Sequence, residues 1–264
     1  MHPNERPVGV IDSGVGGLTV ARRLRRLLPG EDIIYVGDSA NVPYGNRSAD
    51  EIFALTMRML RFLEARRAKC AVVACNTIST IAPRLRDACA LPLVDIVSCS
   101  AEHIVHENLR RVGLLATEFT AASGVYDAQL RALGSDCEVV SQGSPTLAAL
   151  IDRGDFDGAA IDAEIRKQVG AILSRADVEH LMLACTHFPI VEDAFRACFP
   201  QLRLIDPAER QADAVKALLA AHGWLAPRER GTRAHCTTGD PAVYAAVSER
   251  LGLGAPDVCE TVTL

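Results

Sequence analysis

A chain of 264 residues, 49% of them apolar, carries 28 Lys and Arg against 33 Asp and Glu, a formal net charge of −5. That size supports a buried core of one or two domains, and the acidic balance excludes a protein whose main partner is nucleic acid. No apolar run reaches the ~18 residues of a membrane span, Met1–Arg6 carries no signal-type apolar region, and nine cysteines without a Cys-x-x-Cys pair indicate neither a disulfide scaffold nor structural zinc, so a reducing cytoplasm is expected.

Val8-Gly9-Val10-Ile11 predicts a buried strand, followed by a glycine-rich turn and a helix from about Leu18. The turn, Asp12-Ser13-Gly14-Val15-Gly16-Gly17, lacks the third glycine of a dinucleotide fingerprint at its required place. Its backbone N–H groups and the helix start still suit a carboxylate or phosphate, and Asp12 serves either that site or the turn as a cap. Arg22, Arg23, Arg25 and Arg26 share a helical pattern with Leu24, Leu27 and Leu28 and read as a solvated face. Ile33–Val36 predicts a second strand. Asp38 to Gly45 is then a polar loop over the sheet's carboxyl edge, where Pro43 fixes φ and Gly45 permits close backbone approach. A long helix is predicted over roughly Ser48–Ala68, a strand over Cys70–Val73 ending at Cys75, a helix over Ala82–Ala90 and a strand over Leu93–Ile96. This βαβα rhythm calls for a parallel sheet with helices on both faces.

After a helix at Ala101–Leu109 the rhythm restarts. Arg111–Thr117 mirrors Pro7–Ser13 at an offset of 104, and Leu181-Met182-Leu183-Ala184-Cys185 mirrors the first cysteine strand at an offset of 110. Two similar offsets in the same order imply a duplicated α/β unit. Ile205-Asp206-Pro207 closes a strand, a helix covers about Ala208–His222, and Arg233–Cys236 predicts one more strand that returns to the first unit. The expected domains are therefore residues 1–97 with 208–264, and residues 98–207, with a ligand site in the cleft between them.

Ala74-Cys75-Asn76-Thr77 and Ala184-Cys185-Thr186-His187 both sit at strand-to-helix turns, where open α/β sheets bind ligands and where a helix start favours a thiolate. Two thiols facing one substrate from opposite sides suit the transfer of a proton from one face of a carbon to the other. His187 can relay a proton to Cys185 or stabilise its charge. Cys185 and His187 have no further ligand pair with metal spacing, so no metal is expected. A Cys/His hydrolase with one thiol nucleophile is the rival reading, although it leaves the second cysteine unexplained. A non-catalytic amino-acid-binding protein leaves both unexplained. Cys70, Cys89, Cys99, Cys137, Cys198, Cys236 and Cys259 lack such context and read as structural.

Asp12–Val20, Asp38–Gly45 with its Val42-Pro43-Tyr44-Gly45, Ala74–Thr77, Cys185–Pro189 and the tail segment Cys236–Pro241 together resemble the glutamate racemases of the cofactor-independent aspartate/glutamate racemase superfamily, over nearly the whole chain and in the family's order. The resemblance implies two pseudo-symmetric α/β domains with mainly parallel sheets and the active site between them. It implies that Cys75 and Cys185 are the two acid/base thiols, Cys75 acting on the D-isomer and Cys185 on the L-isomer, with Asp12 and His187 assisting them. It matches Ser13, Tyr44, Gly45, Asn76, Thr77 and Thr186 to positions that bind the amino acid, and Asp152 to a place where the family usually has a glutamate. It further implies an amino-acid substrate, no cofactor, no membrane or nucleic-acid partner, a homodimer, and a product that supplies peptidoglycan synthesis. Cys75–Ser79 and Gly113–Thr117 are similar to the aspartate-racemase side of the superfamily, so an aspartate or broad-specificity racemase is the alternative. Only three lysines are present, Lys69, Lys167 and Lys216, none beside these motifs. The α-carbanion is then stabilised by electrostatics in a closed, water-poor cleft instead of by a lysine-bound pyridoxal.

Overall fold

The computed structural model describes residues 2–264. β1 (Val8–Asp12), buried throughout, leads through the glycine turn into α1 (Leu18–Leu27), β2 (Ile33–Gly37), α2 (Ala49–Ala65), β3 (Cys70–Val73), the short helices α3 (Asn76–Ser79) and α4 (Ala82–Ala88), β4 (Leu93–Asp95) and α5 (Ile96–His106). The pattern begins again with β5 (Arg111–Thr117), α6 (Glu118–Ser123), α7 (Val125–Ala132), β6 (Glu138–Ser144), α8 (Leu147–Asp152), α9 (Ala159–Leu173), β7 (His180–Ala184), α10 (Glu192–Cys198) and β8 (Arg203–Ile205). Then follow α11 (Pro207–Ala221), β9 (Arg233–Thr237), α12 (Pro241–Arg250) and β10 (Val258–Thr261).

The strands form two sheets, β10-β9-β2-β1-β3-β4 and β6-β5-β7-β8, and every pairing in both is parallel. The inner order β2-β1-β3-β4 recurs as β6-β5-β7-β8, so β1 matches β5 and β3 matches β7, as the two sequence offsets require. The result is two pseudo-symmetric α/β domains, each built on one sheet. The tail strands β9 and β10 extend the first sheet beyond β2.

Side chains that alternate along a strand separate to opposite faces. Val8 and Val10 of β1, with Cys70 and Val72 of β3, join a core that runs on through Leu114, Met182 and Leu183 of the second sheet. Ile11, Val36, Ala71 and Val73 face the other way, against Ile52, Met59, Leu60 and Leu63 of α2. α5 and α11, the helices that follow the last strand of each fourfold unit, pack on each other and α11 also on α1.

Two helices depart from the expected bounds by more than two residues. α2 stops at Ala65 because Arg67 takes a left-handed φ of 59° and Ala68 N–H reaches back to Leu63 C=O at 3.0 Å, a Schellman-type end that turns the chain into β3. α5 spans Ile96–His106, not Ala101–Leu109: the buried Asp95 carboxylate accepts from Ser98 N–H and caps the helix five residues earlier. At its far end Asn108 is left-handed (φ 51°) and Leu109 N–H reaches Ile104 C=O. Ile96, read as the end of a strand, is thus the first helical residue. α3, α6, α7, β6, α8, α9, α10, α12 and β10 carried no specific expectation.

At the amino edge of the first sheet Lys69 and Glu31, 3% and 2% exposed, form a buried ion pair. Lys69 Nζ also donates to Trp224 C=O at 2.8 Å, and Glu31 Oε1 accepts from Ala226 N–H at 2.8 Å. This knot ties the chain after α11 to the sheet. Removing one partner leaves the other charge buried and alone, so Lys69→Ala is expected to lower the free energy of unfolding by about 3–5 kcal/mol in urea melts.

Candidate active site

The carboxyl ends of both sheets converge on one small cavity of about 60 Å³. Its walls hold Ser13, Tyr44, Gly45, Cys75, Asn76 and Thr77 from the first domain, and Asp152, Cys185, Thr186 and His187 from the second. Of the residues singled out in the sequence, only Asp12 stays behind the wall. A wider cavity of about 330 Å³ adjoins it and shares Val42, Pro43, Gly45, Thr117, Ala148 and Asp152, making it the vestibule.

Cys75 lies just past β3 as the N-cap of α3, where the chain has left the sheet but not yet closed its first helical turn. Cys185 follows β7 in the same way, ahead of a short 3-10 turn at Phe188–Val191. Both are 5% exposed. Ser13 Oγ approaches Cys75 Sγ at 3.5 Å, and His187 Nδ1 approaches Cys185 Sγ at 3.7 Å. On its other side His187 Nε2 meets Asp152 Oδ1 at 2.8 Å. Each thiol therefore has its own polar partner, from a different set of residues.

Asp12 does both of the things its motif allowed. One oxygen accepts from Gly14 N–H at 2.9 Å and shapes the turn; the other accepts from Thr186 Oγ1 at 3.1 Å and ties the first domain to the second. Gly16 makes this approach possible: a Cβ there would lie 2.4 Å from Thr186 Oγ1 and 2.7 Å from His187 Nδ1. Of the glycines that mimic a nucleotide loop, Gly16 thus serves close contact between domains, while a Cβ at Gly17 would meet Asp12 and Tyr35 of its own domain.

Asn76 is held by Tyr126, whose hydroxyl donates to Asn76 Oδ1 at 2.6 Å, while its Nδ2 is buried without a partner among the described residues. A buried unpaired donor is costly unless a ligand takes it, so this amide is poised for an acceptor such as a carboxylate. Thr77 Oγ1 lies 3.2 Å from both Thr117 and Thr120 hydroxyls, a second bridge between the domains. Sequence reading did not name Thr117 as a site residue, yet the offset of 104 pairs it with Ser13. The Tyr44 hydroxyl donates to Asp38 at 2.7 Å. Among the described residues, neither Tyr44 nor Gly45 N–H is taken by a main-chain acceptor, so these positions offer backbone donors.

The ionisation pattern is asymmetric. Burial, reinforced by the Asp12 charge, pushes the Cys75 thiol up to about 12 against the pull of the Ser13 hydroxyl and Ile78 N–H. The helix start favours a thiolate at this sulfur; burial and the Asp12 charge act against that form. Burial also raises the Asp12 carboxyl to about 6, opposed by His187 and by hydrogen bonds from Gly14 and Thr186. For His187, burial works downward, but the Asp152 carboxylate and then Cys185 outweigh it and hold the imidazole well above its ordinary value. Asp152 answers in kind: burial works to raise it, and His187 carries it below the usual range. Near neutral pH the pair is an imidazolium on a carboxylate, with its Nδ1 facing sulfur.

The Asp/Glu/hydantoin racemase family model matches residues 8–215. The chain is 37% identical over 254 residues to a glutamate racemase of Thermus thermophilus, covering 96% of this chain and 95% of that protein. Among solved structures, glutamate racemase isoform RacE1 of Bacillus anthracis superposes with a TM-score of 0.92 at 31% identity over 99% of this chain and 98% of that one. The glutamate racemase of Francisella tularensis in complex with D-glutamate superposes with a TM-score of 0.90 at 30% identity, over 98% of each chain.

The Asp152 charge is what keeps His187 protonated against its burial. In Asp152→Asn the imidazole is expected to titrate below its wild-type value and to be neutral at pH 7, as read from its NMR shifts. An unchanged titration would mean that another group holds the proton.

Proposed function

Because the chain belongs to the Asp/Glu/hydantoin racemase family, and within it to the glutamate racemases, we propose that it interconverts L- and D-glutamate by a two-base proton transfer between Cys75 and Cys185. The observation that carries this reading is that two cysteines from two different sheets line one cavity, each with its own polar partner.

An amino-acid α-proton is a very weak acid, and an ordinary thiol, with a pKa of about 8.5, is a poorly matched base. Burial and the Asp12 charge make Cys75 weaker still as a proton donor. The substrate ammonium brings a positive charge that the Cys75 side lacks, and a nearby cation favours the thiolate. Asp12, the buried carboxylate whose charge acts on Cys75, takes up the thiol proton. Cys75 thiolate then removes the α-proton of D-glutamate while the Cys185 thiol delivers its own to the opposite face. The step leaves a thiol at 75 and a thiolate at 185, which the His187 imidazolium stabilises through Nδ1. L-Glutamate runs the same path backwards.

Substrate carboxylates fit the free Asn76 amide, the Ser13, Thr77 and Thr186 hydroxyls, and the Tyr44 and Gly45 main-chain N–H groups. Tyr44 contributes through its backbone, since its hydroxyl is committed to Asp38. Among the described residues no lysine lines the cavity, which supports catalysis by thiols and fixed dipoles instead of a Schiff base. Residues 1–97 with 208–264, and residues 98–207, act as the two bodies that close on the substrate and exclude water. The enzyme works as a homodimer in the cytoplasm, and its D-glutamate supplies peptidoglycan.

Circular dichroism in D₂O, with L-glutamate and no added cofactor, tests the reading. Loss of optical activity with deuterium at the α-carbon is expected, and Cys75→Ser or Cys185→Ser should each cut kcat by about 10²-fold or more. Racemisation surviving in either variant would overturn the two-thiol mechanism; turnover of aspartate alone would change the substrate.

The pH dependence follows from Asp12. Its carboxylate is needed to receive the Cys75 proton, and burial places its titration at about 6. For D-glutamate, kcat/KM is expected to fall about tenfold per pH unit below that value, and Asp12→Asn should lose this acid limb along with most of the rate.

A further inference from the structure

Behind the cavity the loop after β2 meets the tail that follows β9. Asp38, 1% exposed, gathers three groups on one carboxylate. Tyr44 Oη donates at 2.7 Å, Asn41 Nδ2 lies 3.0 Å from both oxygens, and Thr238 Oγ1 donates at 2.7 Å. The same Thr238 oxygen accepts from Ala40 N–H at 2.9 Å. The loop is thus held at its start through Ala40 and at its far end through Tyr44, with Thr238 and Asp38 as the common anchor.

A second tail residue reaches the neighbouring turn. Tyr244 Oη of α12 lies 2.8 Å from Ser39 Oγ and donates to Gly14 C=O at 3.1 Å, a carbonyl that Tyr35 Oη also reaches at 2.6 Å. Gly37 leaves the space for it, since a Cβ there would stand 2.0 Å from the Tyr244 oxygen. Thr238 and Tyr244 both lie beyond residue 215, where the family match ends.

We propose that Thr238 and Tyr244 are positioning residues, and that through Asp38, Ser39 and Gly14 the tail sets the Tyr44–Gly45 main chain and the Asp12–Gly17 turn against the substrate. A hydroxyl that both donates to the Asp38 carboxylate and accepts from the loop has no hydrocarbon substitute. Loss of it frees the Ala40–Gly45 backbone without touching the groups that exchange protons. The effect therefore falls on substrate binding more than on the chemical step. Its substrate rests on the racemase reading; its geometry does not.

Thr238→Val keeps the side chain's shape and removes the hydroxyl, while Thr238→Ser restores it. In Thr238→Val the KM for glutamate is expected to rise about tenfold with kcat within about threefold of wild type, and Thr238→Ser should return KM to near the wild-type value. Hydrogen exchange of the amides at 40–46 should be faster in Thr238→Val than in wild type or Thr238→Ser. Tyr244→Phe supplies an independent variant, with faster exchange expected at 14–17. Wild-type KM, or unchanged exchange in both Thr238→Val and Tyr244→Phe, would overturn the proposal. A wild-type enzyme that turns over neither glutamate nor aspartate would instead strike the racemase reading, and the exchange comparison would still decide the role of the tail.

Discussion

Everything in this molecule depends on the strands of each sheet running the same way. A parallel ladder needs crossover connections, here mainly helical, and these bring every strand's carboxyl end to one edge. Two such sheets placed edge toward edge put the ends of β1, β2, β3, β5 and β7 around a single seam. Residues at those ends have left the sheet's hydrogen bonding, so their side chains and free N–H groups are available to a ligand. The hydrogen bond from Thr186 to Asp12, and the cluster of Thr77, Thr117 and Thr120, cross that seam. They make the relative placement of the two sheets a condition for having a site at all.

Within the seam the backbone is duplicated and the chemistry is not. Cys75 and Cys185 occupy matching places, yet Asp12 of the first unit has Ala116 as its counterpart at the offset of 104, and Thr77 has His187 at the offset of 110. One sulfur is therefore neighboured by a buried carboxyl and a serine, the other by an imidazolium held on Asp152. A pseudo-symmetric pocket suits mirror-image ligands, while unlike partners let each thiol be tuned separately. Desolvation is the common expense on both sides: it raises Cys75 and Asp12, and at His187 the Asp152 carboxylate, followed by Cys185, reverses its effect.

The tail changes what counts as the site. By pairing on the β2 edge it reaches the loop that overlies the cavity, and Thr238 and Tyr244 meet the two turns that hold Asp12 and Tyr44. Thr238 lies in the tail segment Cys236–Pro241 that resembles the glutamate racemases, but no local pattern marks the contact of either residue with those turns. Their partners lie some 200 positions away along the chain, and β10, short and mostly exposed, gives little strand signal of its own.

The sequence by itself determined the βαβα rhythm, the duplication, and the placement of both cysteines at strand ends. Each of these is written in nearest-neighbour patterns: apolar runs, turn formers and a repeated spacing. Local pattern also put Cys75, Cys185 and His187 at strand ends, whereas the substrate-contacting positions, Asp152 at the end of α8 among them, came only through the resemblance to the glutamate racemases. Tertiary structure alone decided the rest. It showed that Gly16 makes room for the opposite domain, that among the described residues Asn76 keeps an unpaired donor, that Tyr44 spends its hydroxyl on Asp38, and that burial and the Asp12 charge push the Cys75 thiol up. These facts depend on burial and on partners brought from distant parts of the chain, and neither desolvation nor a cross-domain hydrogen bond leaves a trace in local sequence.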